Sequence, residues 1–263
     1  MSYWTAVFLS LFLAPSLLYG EEMIKASNYD ASPINQRRAY GNGCGPASLL
    51  NAFQFGSEKW QEVFRSVPGR NSKTRIRYVV SQWGDQPSNH IQGVKRWNAQ
   101  HGINLVDLHD IANEMCQPLG LPEIEYEILT RKSREQPSEL LKRCHRLITN
   151  SLSNGLPPIL GIQRYAYRDS KELNAMSWWP IRAHFIVIIG VSKRIEPHSD
   201  TFRIEYVEPY GGFTREGTIH TDTQGFTNSP FLGATLPSAL IGKSLLKKGE
   251  ASILSCSLIM GDW

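Results

Sequence analysis

The hydrophobic pattern of this chain changes period once, between Asn154 and Pro158, and that change limits the folds open to it. Before it, apolar residues recur at helical spacing. After it, they fall in short runs bounded by turn formers. Lys25 to Gly43 is polar and turn-rich, and Cys44 to Phe55 predicts a helix with Ala47, Leu50 and Phe53 at helical spacing. Ser57-Glu58-Lys59-Trp60 opens a second helix, with Ser57 as its N-cap. Lys73 to Trp83 and His90 to Gln100 predict two more, the latter closed by Gly102. Pro137-Ser138-Glu139-Leu140 opens a long one that runs to about Leu152. Strands follow at Pro158 to Gln163, His184 to Val191, Thr201 to Val207, Phe213 to Thr221 and Ser252 to Ile259. The run from His184 is rich in β-branched residues and reads as a buried strand. Short turns between neighbouring strands imply antiparallel pairing, so the expected class is α+β, with a helical N-terminal half and a C-terminal antiparallel sheet.

A chain of 263 residues allows one large domain or two small ones. A balance of 28 basic against 24 acidic residues is too mild to argue for a nucleic-acid partner. Residues 1–20 hold no charged side chain, and the acidic pair Glu21-Glu22 follows. Pro15 breaks the apolar run, which is shorter than a comfortable membrane span of roughly 20 residues. The expectation is a secretory signal peptide and export to the periplasm or the extracellular space. A membrane anchor over residues 4–20 and a plain N-terminal helix are the alternatives. The four cysteines, Cys44, Cys116, Cys144 and Cys256, lie too far apart in sequence for zinc-ligand spacing. An exported chain could pair two of the last three. Simple burial is the simpler reading for Cys144, on an amphipathic helix, and for Cys256, in a strand.

Cys44 lies in a glycine-rich turn at the start of a predicted helix. A partly exposed thiol there, at the positive end of the helix dipole, favours the nucleophilic thiolate. A buried cysteine at an ordinary loop-to-helix junction fits the same residues. A cysteine nucleophile needs a base, and the base needs an orienting group. Of seven histidines, His184 alone combines an apolar strand with a nearby carboxylate. If the strands at His184 and Thr201 pair as a hairpin, Glu208 falls back beside His184, where it could fix the tautomer. A satisfied histidine and a solvated glutamate at strand ends are the plainer alternatives. Trp178-Trp179-Pro180 precedes His184, either as an aromatic subsite wall for an extended peptide or as core.

The run Gly43-Cys44-Gly45-Pro46-Ala47-Ser48-Leu49 resembles the nucleophile motif of cysteine peptidase family 39, whose members include bacteriocin-processing peptidases. His184-Phe185-Ile186-Val187-Ile188-Ile189-Gly190-Val191 is similar to that family's histidine motif, and Glu208-Pro209-Tyr210-Gly211-Gly212 resembles its Asp-Pro segment. The three occur in the family's order and the resemblance spans about Ile34 to Gly212. It implies a single papain-like domain over residues 21–263, with the nucleophile helix packed on the antiparallel sheet. It implies a thiol peptidase with Cys44 as nucleophile, His184 as proton carrier and Glu208 as orienting group. The carboxylate is Glu where the family has Asp. The family's oxyanion-stabilising glutamine sits five or six residues before the cysteine. Here the nearest is Gln36, eight residues before it, with Asn42 as the fallback donor.

The implied substrate is a peptide or protein, hydrolysed through a thioester without a metal or organic cofactor. Trp178 and Trp179 are the expected substrate-binding residues. Leader cleavage, the family's best-known activity, is usually fused to a multi-span transporter and is not assigned. The alternatives are a thiol acyltransferase of the phytochelatin-synthase kind and a catalytically degenerate module that binds peptides.

Overall fold

A computed structural model describes residues 22–170, 175–223, 229–237 and 241–263. The expected signal peptide, and the alternative anchor over residues 4–20, lie outside the described residues. Among the described residues no helix is long and apolar enough to cross a membrane.

The elements in chain order begin with β1 (Met23–Lys25), α1 (Cys44–Phe55), α2 (Glu58–Ser66) and α3 (Ser72–Val79). The short strands β2 (Trp97–Asn98) and β3 (Gly102–Ile103) precede α4 (Leu105–Cys116), β4 (Glu125–Ile128) and α5 (Pro137–Ser153). The remaining strands are β5 (Ile159–Ser170), β6 (Ala175–Ser192), β7 (Thr201–Glu208), β8 (Phe213–His220), β9 (Leu232–Thr235) and β10 (Ser252–Gly261).

The second half forms a barrel. Going round it, the antiparallel order is β6, β5, β10, β9, β8, β7, and β7 bonds back to β6. β1 continues the β5 side of β6, and β4 continues the β9 side of β10. Closure satisfies strand edges that an open sheet leaves bare. The pattern of β7 follows from it: Phe202, Ile204 and Tyr206 alternate as fully buried positions. β6 is buried on both faces, because Phe185 to Ile189 and Val191 are all inaccessible. One face meets the barrel interior, while α1 and α5 pack against the same strand. One continuous apolar cluster joins helices and barrel.

These features correct the expected papain-like arrangement of a helical half packed on an antiparallel sheet. The sheet is a closed six-stranded barrel with two extra strands, accompanied among the described residues by five α-helices. The helical half is also not purely helical, since β1 and β4 join the same sheet. Local periodicity marks a strand but says nothing of whether the first and last strands of a sheet bond to each other. A second correction concerns His90 to Gln100, which forms no helix. Its end pairs as the β2–β3 hairpin, in which Gly102 adopts φ +79°. A side chain at Gly102 would press to 3.1 Å from the Asn42 carbonyl oxygen.

α5 is tied to the segment before it by one buried guanidinium. Arg143 donates from Nε and Nη2 to the Glu135 carboxylate at 2.8 and 2.7 Å, and from Nη2 to the Thr130 carbonyl at 2.8 Å. It also pairs with Glu127 of β4. Hydrogen bonding to Arg143 holds the Glu135 carboxyl down at about 2, against an ordinary value of 4.5. A depressed folded-state value means that the contribution is present above pH 4.5 and is lost as pH falls toward 2. Replacement of Arg143 by Met is expected to cost about 2–3 kcal/mol in urea unfolding at neutral pH. The gap from wild type should narrow as the same titration is repeated below pH 4.5.

Candidate active site

Cys44 is the first residue of α1, with Gly43 as the preceding cap, and is half-buried. The turn is small by necessity: a Cβ on Gly45 would lie 2.3 Å from Ile103 Cγ2, so the β2–β3 hairpin packs directly on it. One turn along α1, the Ser48 hydroxyl donates to the Phe185 carbonyl at 3.2 Å. That bond docks the start of α1 on β6 beside His184.

His184 pairs across the sheet with Ile162. The β6–β7 register sets Val187 opposite Val207, and its continuation by one residue sets Ile186 opposite Glu208. His184 stands two residues along, on the same face as Ile186, so Glu208 reaches it diagonally. His184 Nε2 meets Glu208 Oε1 at 2.6 Å, and both residues are buried. The same Oε1 accepts the Tyr210 backbone N–H at 2.8 Å. With Nε2 committed to Glu208, Nδ1 is the ring nitrogen left for the Cys44 thiol, and the two groups stand close enough for each to shift the other. Thiol, imidazole and carboxylate therefore form one chain, and all three line a single cavity of about 530 Å³.

Burial pushes the Cys44 thiol up. The His184 hydrogen bond and charge, with backbone hydrogen bonds from Phe185 and Gly45, pull it down, and the balance lies below its ordinary value. Burial pulls His184 down, but the Glu208 charge and the bonds to Cys44 and Glu208 raise it to about 10. The two shifts are linked through the attraction between thiolate and imidazolium, with the Glu208 charge the larger influence on His184. The other three cysteines behave oppositely. Burial pushes Cys116 and Cys144 up to about 12 and Cys256 well above its ordinary value. All four are free thiols, so the disulfide left open for an exported chain is not formed.

Gln36 lines the same cavity and is buried. Its backbone N–H donates to the Pro209 carbonyl at 2.9 Å, and Asn35 Nδ2 donates to the Gly211 carbonyl at 2.8 Å. Asn51 of α1 holds the same segment through the Ile34 N–H at 2.7 Å. The segment is thus clamped between α1 and the turn that follows Glu208. The Gln36 side chain donates from Nε2 to the Gly41 carbonyl at 2.7 Å, while its buried Oε1 has no partner among the described residues. Asn42, the fallback donor, has its amide hydrogens committed to the Ala99 and Gln100 carbonyls, both at 2.8 Å.

Trp178 and Trp179 do not line this cavity. They lie five and six residues along β6 from His184, on its hairpin with β5, roughly 16–20 Å away by strand rise. Trp178 instead packs its ring 5.1 Å from that of Tyr167. The cavity wall is built from Arg182, Tyr210 and the strap Ile241 to Leu245. Arg182 could have been found by strand parity, since it shares its face with His184. Nothing in the sequence marks the strap.

No protein-family model matches the chain, and no curated protein matches it either.

Native-state alkylation with iodoacetamide at pH 6–7 is expected to modify Cys44 alone, with Cys116, Cys144 and Cys256 reacting only after denaturation. Replacing His184 by Ala should slow Cys44 alkylation at pH 6 by about tenfold or more and move its pH dependence up to the ordinary thiol range. Mass spectrometry of the labelled peptides reads both outcomes.

Proposed function

We propose that the protein is a thiol hydrolase that cleaves peptide bonds. The reading rests above all on the chain from Cys44 through His184 to the buried Glu208, inside one open cavity with the thiol shifted down. The motif resemblance to family 39 of the cysteine peptidases supports it independently of the geometry.

The Cys44 thiolate attacks the substrate carbonyl carbon and forms a C–S bond as the carbonyl oxygen becomes an oxyanion. The backbone N–H of Cys44 and the second Nε2 hydrogen of Gln36 stabilise that oxygen, at about 3 kcal/mol per donor. His184 gives its proton to the leaving amine as the C–N bond breaks. Water then attacks the thioester while His184 accepts its proton, and the C–S bond breaks to free the acid. Glu208 holds the ring in the tautomer this sequence needs and stabilises its cationic form. A glutamate suits the diagonal offset between β6 and β7, because an aspartate would fall one methylene short.

A proteome-derived peptide library incubated with the wild-type chain is expected to show new termini that are absent with Cys44→Ala. On a peptide found this way, Gln36→Ala should lower kcat by about 10²-fold, and Glu208→Asp by about tenfold. No cleavage by wild type, or equal cleavage by Cys44→Ala, would sink the proposal. Products carrying an added amine in place of a free carboxyl would assign acyl transfer instead of hydrolysis.

A further inference from the structure

The charged side chains that line the cavity are not balanced. His184 and Glu208 are paired with each other. Arg182 and Lys243 line the same cavity, are exposed, and make no ion pair among the described residues. Among the described residues no other carboxylate lines it.

The positions of these two cations are built rather than incidental. Arg182 lies on β6, two residues before His184, and its guanidinium donates to Asn42 Oδ1. Asn42 is itself fixed by the Ala99 and Gln100 carbonyls, two residues before Cys44. The guanidinium is thereby anchored across the mouth of the cleft beside the nucleophile turn. Lys243 comes from the strap, whose approach depends on Gly242 at φ +63°. A Cβ there would stand 3.1 Å from Arg182 Cβ and 3.2 Å from Ile181 Cγ2. The strap is also bonded from beneath: Arg164, directly across the sheet from Arg182, donates to the Ile241 carbonyl, and Arg168 donates to the Leu245 carbonyl at 2.8 Å. The strap is held against Arg182 at Gly242 as a result, and the next residue, Lys243, lines the same cavity. Lys243 also borders a second cavity that contains Asp222, so Arg182 is the firmer half of the pair.

We propose that Arg182 and Lys243 form an anion subsite that selects peptides carrying a carboxylate close to the bond presented to Cys44. The proposal rests on the peptide-cleaving reading for its ligand class, but not on cleavage itself for its test. A guanidinium that keeps donors free beside one tethered contact recognises a carboxylate in a forked geometry. An acidic side chain and a free C-terminal carboxylate present the same group.

Two measurements test it without requiring turnover. The first is the ratio of Cys44 alkylation rates by iodoacetate, an anion, and iodoacetamide, its neutral analogue. In the double variant Arg182→Gln/Lys243→Gln the ratio is expected to fall about fivefold, with a smaller fall at high salt, where the wild-type attraction is already screened. An unchanged ratio, or an equal fall in both rates, overturns the subsite. Failure of Cys44 to react with either reagent counts against the nucleophile reading alone, and the second measurement then decides. Fluorescein-labelled random hexapeptide pools, with Glu or Gln fixed at one position and the C-terminus free or amidated, are titrated against Cys44→Ala by anisotropy. The Glu pools are expected to bind about tenfold tighter than the Gln pools if a side chain is read, and the free-acid pools tighter than the amidated if the C-terminus is read. In both cases the preference should vanish in Arg182→Gln. Equal binding by all pools, or binding by none, overturns the proposal.

Discussion

The site depends on β6 being bonded along both edges. β5 and β1 hold one side, and β7 holds the other. A strand held in this way cannot slide by one residue without turning its side chains to the opposite face. His184 therefore faces the cavity because the whole barrel fixes its register. The β6–β7 pairing that closes the barrel is the same pairing that delivers Glu208 to the imidazole. Closure and orientation of the base are one structural event.

The Cys44 thiol arrives from a different layer and must be matched to that strand. The docking bond from Ser48 to Phe185, the close approach of Ile103 at Gly45 and the clamp at Ile34 to Gln36 converge on the first turn of α1. Burial alone would protonate Cys44 and neutralise His184. Their mutual attraction, with the Glu208 charge behind the ring, reverses both tendencies. The contrast with Cys144 is instructive. It is fully buried where Cys44 is half-buried, and its surroundings raise its thiol to about 12. Exposure and partner chemistry together set Cys44 apart from the other three thiols.

Local pattern made some elements legible and left others hidden. The span of α1 follows from Ala47, Leu50 and Phe53 after a glycine-rich cap, and β7 from its alternation. The parts of the sheet at β1, β4 and β9 are three or four residues long, too short for a period to register. Barrel closure is a long-range property, because β10 inserts between β9 and β5, and β5 lies far from it in sequence. Gly102 was legible as a break, but the same residue type closes a helix or turns a hairpin. At the site, the chemistry of Cys44, His184 and Glu208 is carried by residue type and order, so sequence could name these positions. Aromatic bulk at Trp178 and Trp179 is conspicuous in sequence, but other residues line the cavity. Arg182 and the strap acquire meaning only from what stands across the sheet from them.

The position of β10 has a temporal consequence. Its neighbours β5 and β9 are both made before it on the ribosome, yet neither can complete its pairing until Ser252 to Gly261 emerges. The barrel is thus the kind of high-contact-order unit that forms slowly and late. β6 has its own partners β1, β5 and β7 before that, but the ring of strands around it stays open until the last strand described is made. The half-made polypeptide carries its thiol in a helix that has no imidazole to meet.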